Sequence, residues 1–253
     1  MPLVVALHGG GGGGIGLAAF SRMNQVADRH GFLVAYPNGV ESSWADGRGI
    51  TDADRAGVDD VRFLADLIEM LAGRHPVDPG RIFVAGISNG GTMAFRLGCE
   101  LSDRVAALGV VAASMPAVLV PTCAPGRPVS LVLMHGTEDR LMPFEGGEVM
   151  SNRGEVIGAR ATAQRWAGLN GCATDPDVAV LPATVDDGTR VLMESFAGPL
   201  GVSVELHVIE GGGHTWPGGL RFAAVGMLGR TTRNLDASET IWRFFASHGR
   251  PGS

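Results

Sequence analysis

Gly86-Ile87-Ser88-Asn89-Gly90 stands between an apolar run, residues 81–85, and a segment with apolar positions at helical spacing, residues 91–97. Strand, tight turn and helix form the context in which a G-x-S-x-G sequence exposes a serine hydroxyl as a nucleophile. The bracketing glycines allow a turn that side chains would obstruct. Such a hydroxyl reacts only when a neutral imidazole takes its proton, and an acid must hold that imidazole in the right tautomer. Two downstream loops carry these residue types. Asp139 lies in His135-Gly136-Thr137-Glu138-Asp139, directly after an apolar run ending at Met134. His214 lies in the stretch 211–218, Gly-Gly-Gly-His-Thr-Trp-Pro-Gly, directly after the run 202–209. Serine, acid and histidine in that order, each where a strand ends, converge on one crevice of a parallel sheet. The expected roles are Ser88 as nucleophile, His214 as general base and then acid, and Asp139 as the orienting carboxylate. The tetrahedral oxyanion needs backbone donors. Asn89 supplies one, and the glycine loop after the first strand, at Gly10 and Gly11, supplies the other.

Each of these residues has a competing reading. Ser88 could be an ordinary helix N-cap, though the flanking glycines and preceding strand favour the nucleophile. Glu138 competes with its neighbour Asp139. Six other histidines compete with His214: His30, His75 and His248 read as surface residues near helix ends, and His207 lies within a strand. His8 and His135 belong to the glycine loop and the acid loop, where orienting loop backbone is the expected role. Trp44 and Trp216 lie in loops at the same end of the sheet. They are either caps on the core or, with His8, substrate-binding residues that line the crevice.

The elements that must position these residues follow from the hydrophobic pattern. Strands are expected at 3–7, 32–36, 81–85, 105–112, 129–134 and 202–209, and helices at 20–29, 58–71, 91–97, 155–169 and 235–245. Residues 178–181 and 190–196 alternate around Asp187-Gly188 as a hairpin. Residues 37–57 read as a polar loop. Strand and helix alternate nearly throughout, which predicts an α/β fold with a mostly parallel, doubly wound sheet. No linker, repeat or boundary interrupts the 253 residues, so one catalytic domain is expected over 1–253.

Composition removes several other chemistries. All 20 basic residues are arginine, and the chain has no lysine. Walker A phosphate loops, Schiff-base lysines and Ser-Lys dyads are thereby excluded. The glycine run contains a formal G-x-G-x-x-G, yet the second strand ends in Tyr36-Pro37-Asn38-Gly39 with no acid placed for a ribose. Net charge of −6 and pI near 5.6 argue against nucleic-acid and anionic-membrane partners, and no apolar run is long enough to span a bilayer. No basic-then-apolar leader precedes the first strand, so no signal peptide is visible and the chain as given reads as cytoplasmic. Met1 falls almost on the first strand, so a removed signal is the alternative and localisation stays open. Cys99, Cys123 and Cys172 are too few and too scattered for a metal site. Cys99 and Cys123 either pair, leaving Cys172 single, or all three are free thiols.

Six blocks together resemble the polyhydroxybutyrate-depolymerase-type esterases, a family that includes feruloyl and acetylxylan esterases. They are L-H-G-G-G-G at 7–12, Y-P-N-G at 36–39, V-D-D-V at 58–61, G-I-S-N-G-G at 86–91, H-G-T-E-D at 135–139 and G-G-G-H-T-W-P-G at 211–218. The resemblance implies an α/β-hydrolase fold, no cofactor and a Ser88–Asp139–His214 triad. It further implies a serine carboxylesterase acting on small acyl or aryl esters through an acyl-enzyme. A polyester depolymerase and an acyltransferase with the same triad are the alternatives. Relatives begin with more chain before the H-G-G loop, often with a secretion signal, so the sheet is expected to lack one or two N-terminal edge strands. Relatives also carry a cysteine before the last strand that partners the Cys172 position. Here that segment, 196–200, has none, which removes that disulfide.

Overall fold

The computed structural model describes residues 1–150, 152–220 and 225–250. Among the described residues the strands are β1 (Leu3–Leu7), β2 (Leu33–Ala35), β3 (Ile82–Ile87), β4 (Ala107–Val111), β5 (Ser130–Gly136), β6 (Gly146–Glu148), β7 (Glu155–Ile157), β8 (Asp177–Val180), β9 (Arg190–Ala197) and β10 (Ser203–Glu210). The helices are α1 (Gly14–Ser21), α2 (Met23–His30), α3 (Asp52–Arg55), α4 (Asp60–Arg74), α5 (Asn89–Glu100), α6 (Ala159–Leu169), α7 (Val225–Leu228) and α8 (Ala237–Ser247). Eight strands form one sheet in the order β2-β1-β3-β4-β5-β10-β9-β8, and β6 and β7 form a separate hairpin. From β2 to β10 every pairing is parallel; β9 alone runs against its neighbours.

The uninterrupted apolar runs of β1, β3, β4 and β5 follow from burial on both faces, as in parallel sheets covered by helices. Alternate residues of β1 show the division. Leu3, Val5 and Leu7 join a core with Leu64 and Ile68 of α4, Met93 and Leu97 of α5, and Trp166 of α6. Val4 and Ala6 join the opposite core with Leu17 of α1, Val26 of α2, and Ile241 and Phe245 of α8. A disulfide between Cys99, in the last turn of α5, and Cys123 ties the helix to the loop after β4, with Cα atoms 5.1 Å apart. Cys172 is free, and its sulfur lies against Gly198 in the segment before β10.

Three local expectations change. The helix expected over 20–29 is two helices, because Arg22 adopts a left-handed conformation (φ 59°) and Ser21 Oγ accepts from the Met23 amide at the second start. The helix expected over 155–169 starts only at Ala159. Residues 155–157, rich in β-branched side chains, pair instead with β6 as a hairpin. The loop 37–57 contains α3, opened by a capping box between Thr51 and Asp54. The β8–β9 hairpin lies where the Asp-Gly turn places it.

Candidate active site

Ser88 occupies the single residue between β3 and α5, at φ 56° and ψ −124°, a conformation that is costly for a residue with a Cβ. Close packing on both sides explains the glycines. A Cβ on Gly86 would stand 2.3 Å from the Gly90 carbonyl oxygen, and one on Gly90 would stand 2.2 Å from the Leu7 carbonyl oxygen. The turn can therefore be this tight only with glycine at both positions. The Ser88 amide donates to the Val111 carbonyl of β4, while its hydroxyl makes no capping bond to α5. Ser88 thus stands at the N-cap position of α5, but its side chain does not serve as the cap.

Asp139 follows the end of β5. Its Oδ1 accepts from the Leu141 and Met142 amides, both at 2.9 Å, and its Oδ2 accepts from His214 Nδ1 at 2.8 Å. His135, fully buried, contributes a second imidazole. Its Nε2 donates to the Met142 carbonyl at 2.9 Å and lies 3.4 Å from Asp139 Oδ2, while the Ser114 hydroxyl donates to its Nδ1. Burial alone would raise the Asp139 pKa. The hydrogen bonds from His135 and His214 more than offset it and hold this carboxyl well below the usual carboxylate range. Glu138 points elsewhere, to Arg230 at 3.1 Å on the surface. Of the two neighbouring acids, Asp139 is the one bonded to His214.

His214 sits in the loop after β10, buried, with its amide donating to the Leu228 carbonyl. Because Nδ1 donates to a carboxylate, the neutral ring keeps Nε2 as its basic nitrogen. His214 and Ser88 line the same cleft of about 630 Å³. The glycine loop forms another wall. A Cβ on Gly9 would stand 3.3 Å from the Ser88 Cβ, so the backbone there approaches the nucleophile closely.

The three backbone donors expected for an oxyanion fare differently. Gly10 and Asn89 border the cleft side by side, and the Gly10 amide has no hydrogen-bond acceptor among the described residues. The Gly11 amide donates to the Ser42 carbonyl at 2.8 Å and is therefore occupied, which corrects its expected role. His8 lines the cleft, yet both ring nitrogens serve the backbone: Nδ1 donates to Gly9 O, and Nε2 accepts from the Gly39 amide. Burial pushes the His8 imidazole below its ordinary value, against the opposing Gly9 hydrogen bond and the Asp60 charge. His8 is thus a neutral brace between two loops.

The two tryptophans also need correction. Trp44 is fully buried and donates Nε1–H to the His8 carbonyl; Trp216 is 2% exposed and donates to Ser238 Oγ. Neither lines the cleft. Each indole N–H finds its partner inside the protein, so these rings brace the loops around the site and are not substrate contacts.

One group has no counterpart in the sequence reading. Asp46, fully buried, accepts from the Arg48 guanidinium at 2.7 Å, from Asn89 Nδ2 at 2.7 Å and from Thr92 Oγ1 at 2.5 Å. The Asn89 side chain also bonds both the amide and the carbonyl of Trp44. This network fixes the residue after Ser88. Its only trace in the sequence is an Asp and an Arg two residues apart in a loop, a spacing with no periodic signature.

The family model described as Esterase PHB depolymerase matches residues 1–138. "Putative esterase NocK" of Nocardia uniformis subsp. tsuyamanensis is 30% identical over 253 residues, covering 96% of this chain and 73% of that protein. Feruloyl esterase B of Piromyces equi is 31% identical over 222 residues; the match covers 84% of this chain and 39% of that longer protein. Among solved structures, an acetyl xylan esterase from Aspergillus awamori superimposes with a TM-score of 0.60 over 97% of this chain and 89% of that one. At 15% identity that likeness concerns the fold. The chain belongs to the Esterase PHB depolymerase family, and with it to the carboxylic ester hydrolases of α/β-hydrolase fold.

Proposed function

We propose that the protein hydrolyses small acyl or aryl esters, of the acetyl or feruloyl kind, through an acyl-enzyme formed on Ser88. The observation that carries this reading is the 2.8 Å bond from His214 Nδ1 to Asp139 in the cleft that Ser88 lines. His214 Nε2 takes the Ser88 proton as Oγ attacks the ester carbonyl, and Asp139 stabilises the imidazolium that results. The amides of Asn89 and Gly10 receive the oxyanion at the N-terminal end of α5, where the helix dipole favours negative charge. Collapse of the tetrahedral intermediate breaks the ester C–O bond, and His214 protonates the departing alkoxide. A water molecule, deprotonated by the same imidazole, then releases the acid and regenerates Ser88. No step calls for a cofactor.

The size of the cleft and the feruloyl esterases among the relatives support small esters over a long polymer chain. The test is hydrolysis of p-nitrophenyl acetate, p-nitrophenyl butyrate and methyl ferulate by wild type and Ser88→Ala. Ser88→Ala is expected to fold normally and to lose roughly 10⁴- to 10⁶-fold in kcat. Wild-type turnover by that variant would remove Ser88 from the mechanism. Adding methanol separates hydrolysis from acyl transfer, because an acyltransferase would accumulate methyl ester at the expense of free acid.

A further inference from the structure

The chain carries a net charge of −6, yet the described lining of the cleft contains no carboxylate. Its ionisable residues are His8, His214, Arg48 and Arg153. The two arginines differ. The Arg48 side chain is 5% exposed and its charge is met by Asp46, with both Nε and Nη2 donating to that carboxylate. Arg153 is exposed, and among the described residues its guanidinium has no hydrogen-bond or ion-pair partner; only its backbone is engaged. Among the described residues, Arg153 is thus the cation of the cleft lining that no carboxylate meets.

The backbone that carries this side chain is held in place. Arg153 lies in the turn between β6 and β7, where its amide donates to the Val149 carbonyl and its carbonyl accepts from Arg48 Nη1 at 2.8 Å. The neighbouring Gly154 backs onto the Arg48 side chain. Arg48 in turn is bound to Asp46, which holds Asn89 and Thr92 at the start of α5. A continuous set of hydrogen bonds therefore links the Arg153 turn to the residue next to Ser88. A guanidinium fork suits a carboxylate, and a cleft without acidic lining adds no repulsion.

We propose that Arg153 forms an anion subsite of the cleft, selecting esters that carry a carboxylate apart from the reacting carbonyl, such as half-esters of dicarboxylic acids. The proposal rests on the ester-hydrolysing reading of the Ser88 cleft, and the two are separable by experiment. Two matched pairs test it: p-nitrophenyl hemiglutarate against p-nitrophenyl valerate, with the charge on the acyl side, and 4-acetoxybenzoate against its methyl ester, with the charge on the leaving group. In wild type, kcat/KM for the charged member of at least one pair is raised relative to its neutral partner. Arg153→Gln is expected to lower that ratio about fivefold, chiefly through KM, and Arg153→Lys to restore part of it. The advantage should fade in 1 M salt, where screening shortens to about 3 Å. A ratio that Arg153→Gln leaves unmoved in both pairs overturns the subsite. Should no ester be turned over at all, the reading of Ser88 fails instead. Calorimetric titration of Ser88→Ala and Ser88→Ala/Arg153→Gln with 4-acetoxybenzoate then decides the subsite alone: equal affinities overturn it, and weaker binding without Arg153 supports it.

Discussion

Both oxygens of the Asp139 carboxylate are committed: one to two backbone amides, the other to two imidazoles. Such a group works only as an acceptor, since an amide in its place would turn a donor toward one of these partners. Asp139→Asn should therefore present His214 with the wrong tautomer and lower kcat by about 10⁴, with the fold retained. Glu138→Gln, at a carboxylate that pairs with Arg230 on the surface, should stay within a few-fold of wild type. Parallel kinetics on one p-nitrophenyl ester check the ranking, and the reverse order would transfer the role to Glu138. Ser88, Asp139 and His214 were legible as candidates because each follows an apolar run and is set among glycines. The occupied amide of Gly11 was not legible. Its acceptor, Ser42, is 31 residues away in a loop with no regular repeat, and only the folded chain brings the two together.

At the scale of elements, the β3–turn–α5 unit was readable because strand pattern, turn glycines and helix pattern are contiguous. The β6–β7 hairpin was not: three-residue strands are too short for a period to show, and 155–157 run directly into the true helix. Trp44 and Trp216 show the same limit in side-chain form. A loop aromatic is equally compatible with core and crevice until its N–H partner is known, and those partners, His8 O and Ser238 Oγ, are distant in sequence. The Cys99–Cys123 link is a choice that spacing alone left open. It closes a loop between residues 24 apart, so opening it should cost about 3 kcal/mol through the entropy of the unfolded chain. Urea unfolding of the Cys99→Ser/Cys123→Ser variant against wild type measures that difference; coincident transitions would show that the bridge does not stabilise the fold.

For the whole molecule, the hydrogen bonds to Asp139 make stability depend on pH in one direction. Its folded-state pKa is depressed, so its contribution is present above the unfolded value, near 3.9, and is lost as pH falls toward the folded one. The unfolding free energy of wild type relative to Asp139→Asn should therefore shrink as pH is lowered below about 4, in denaturant titrations at stepped pH. A gap that widened on acidification would mean the carboxylate is not stabilised in the fold. The α/β architecture, with both sheet faces covered, was readable from composition and alternation because a parallel sheet needs buried strands throughout. The shape of the cleft was not, since residues from the glycine loop, the β6–β7 turn and the His214 loop meet there only through tertiary contacts.

Mass spectrometry after reaction with a p-nitrophenyl phosphonate tests whether Ser88 forms the covalent intermediate. With no lysine in the chain, trypsin cuts after arginine alone and releases Ser88 as the sole serine in a peptide running from residue 82 to 96. A single stoichiometric adduct is expected on that peptide, abolished in Ser88→Ala and strongly slowed in His214→Ala. An adduct on any other peptide, or labelling that persists without Ser88, would contradict that role for Ser88.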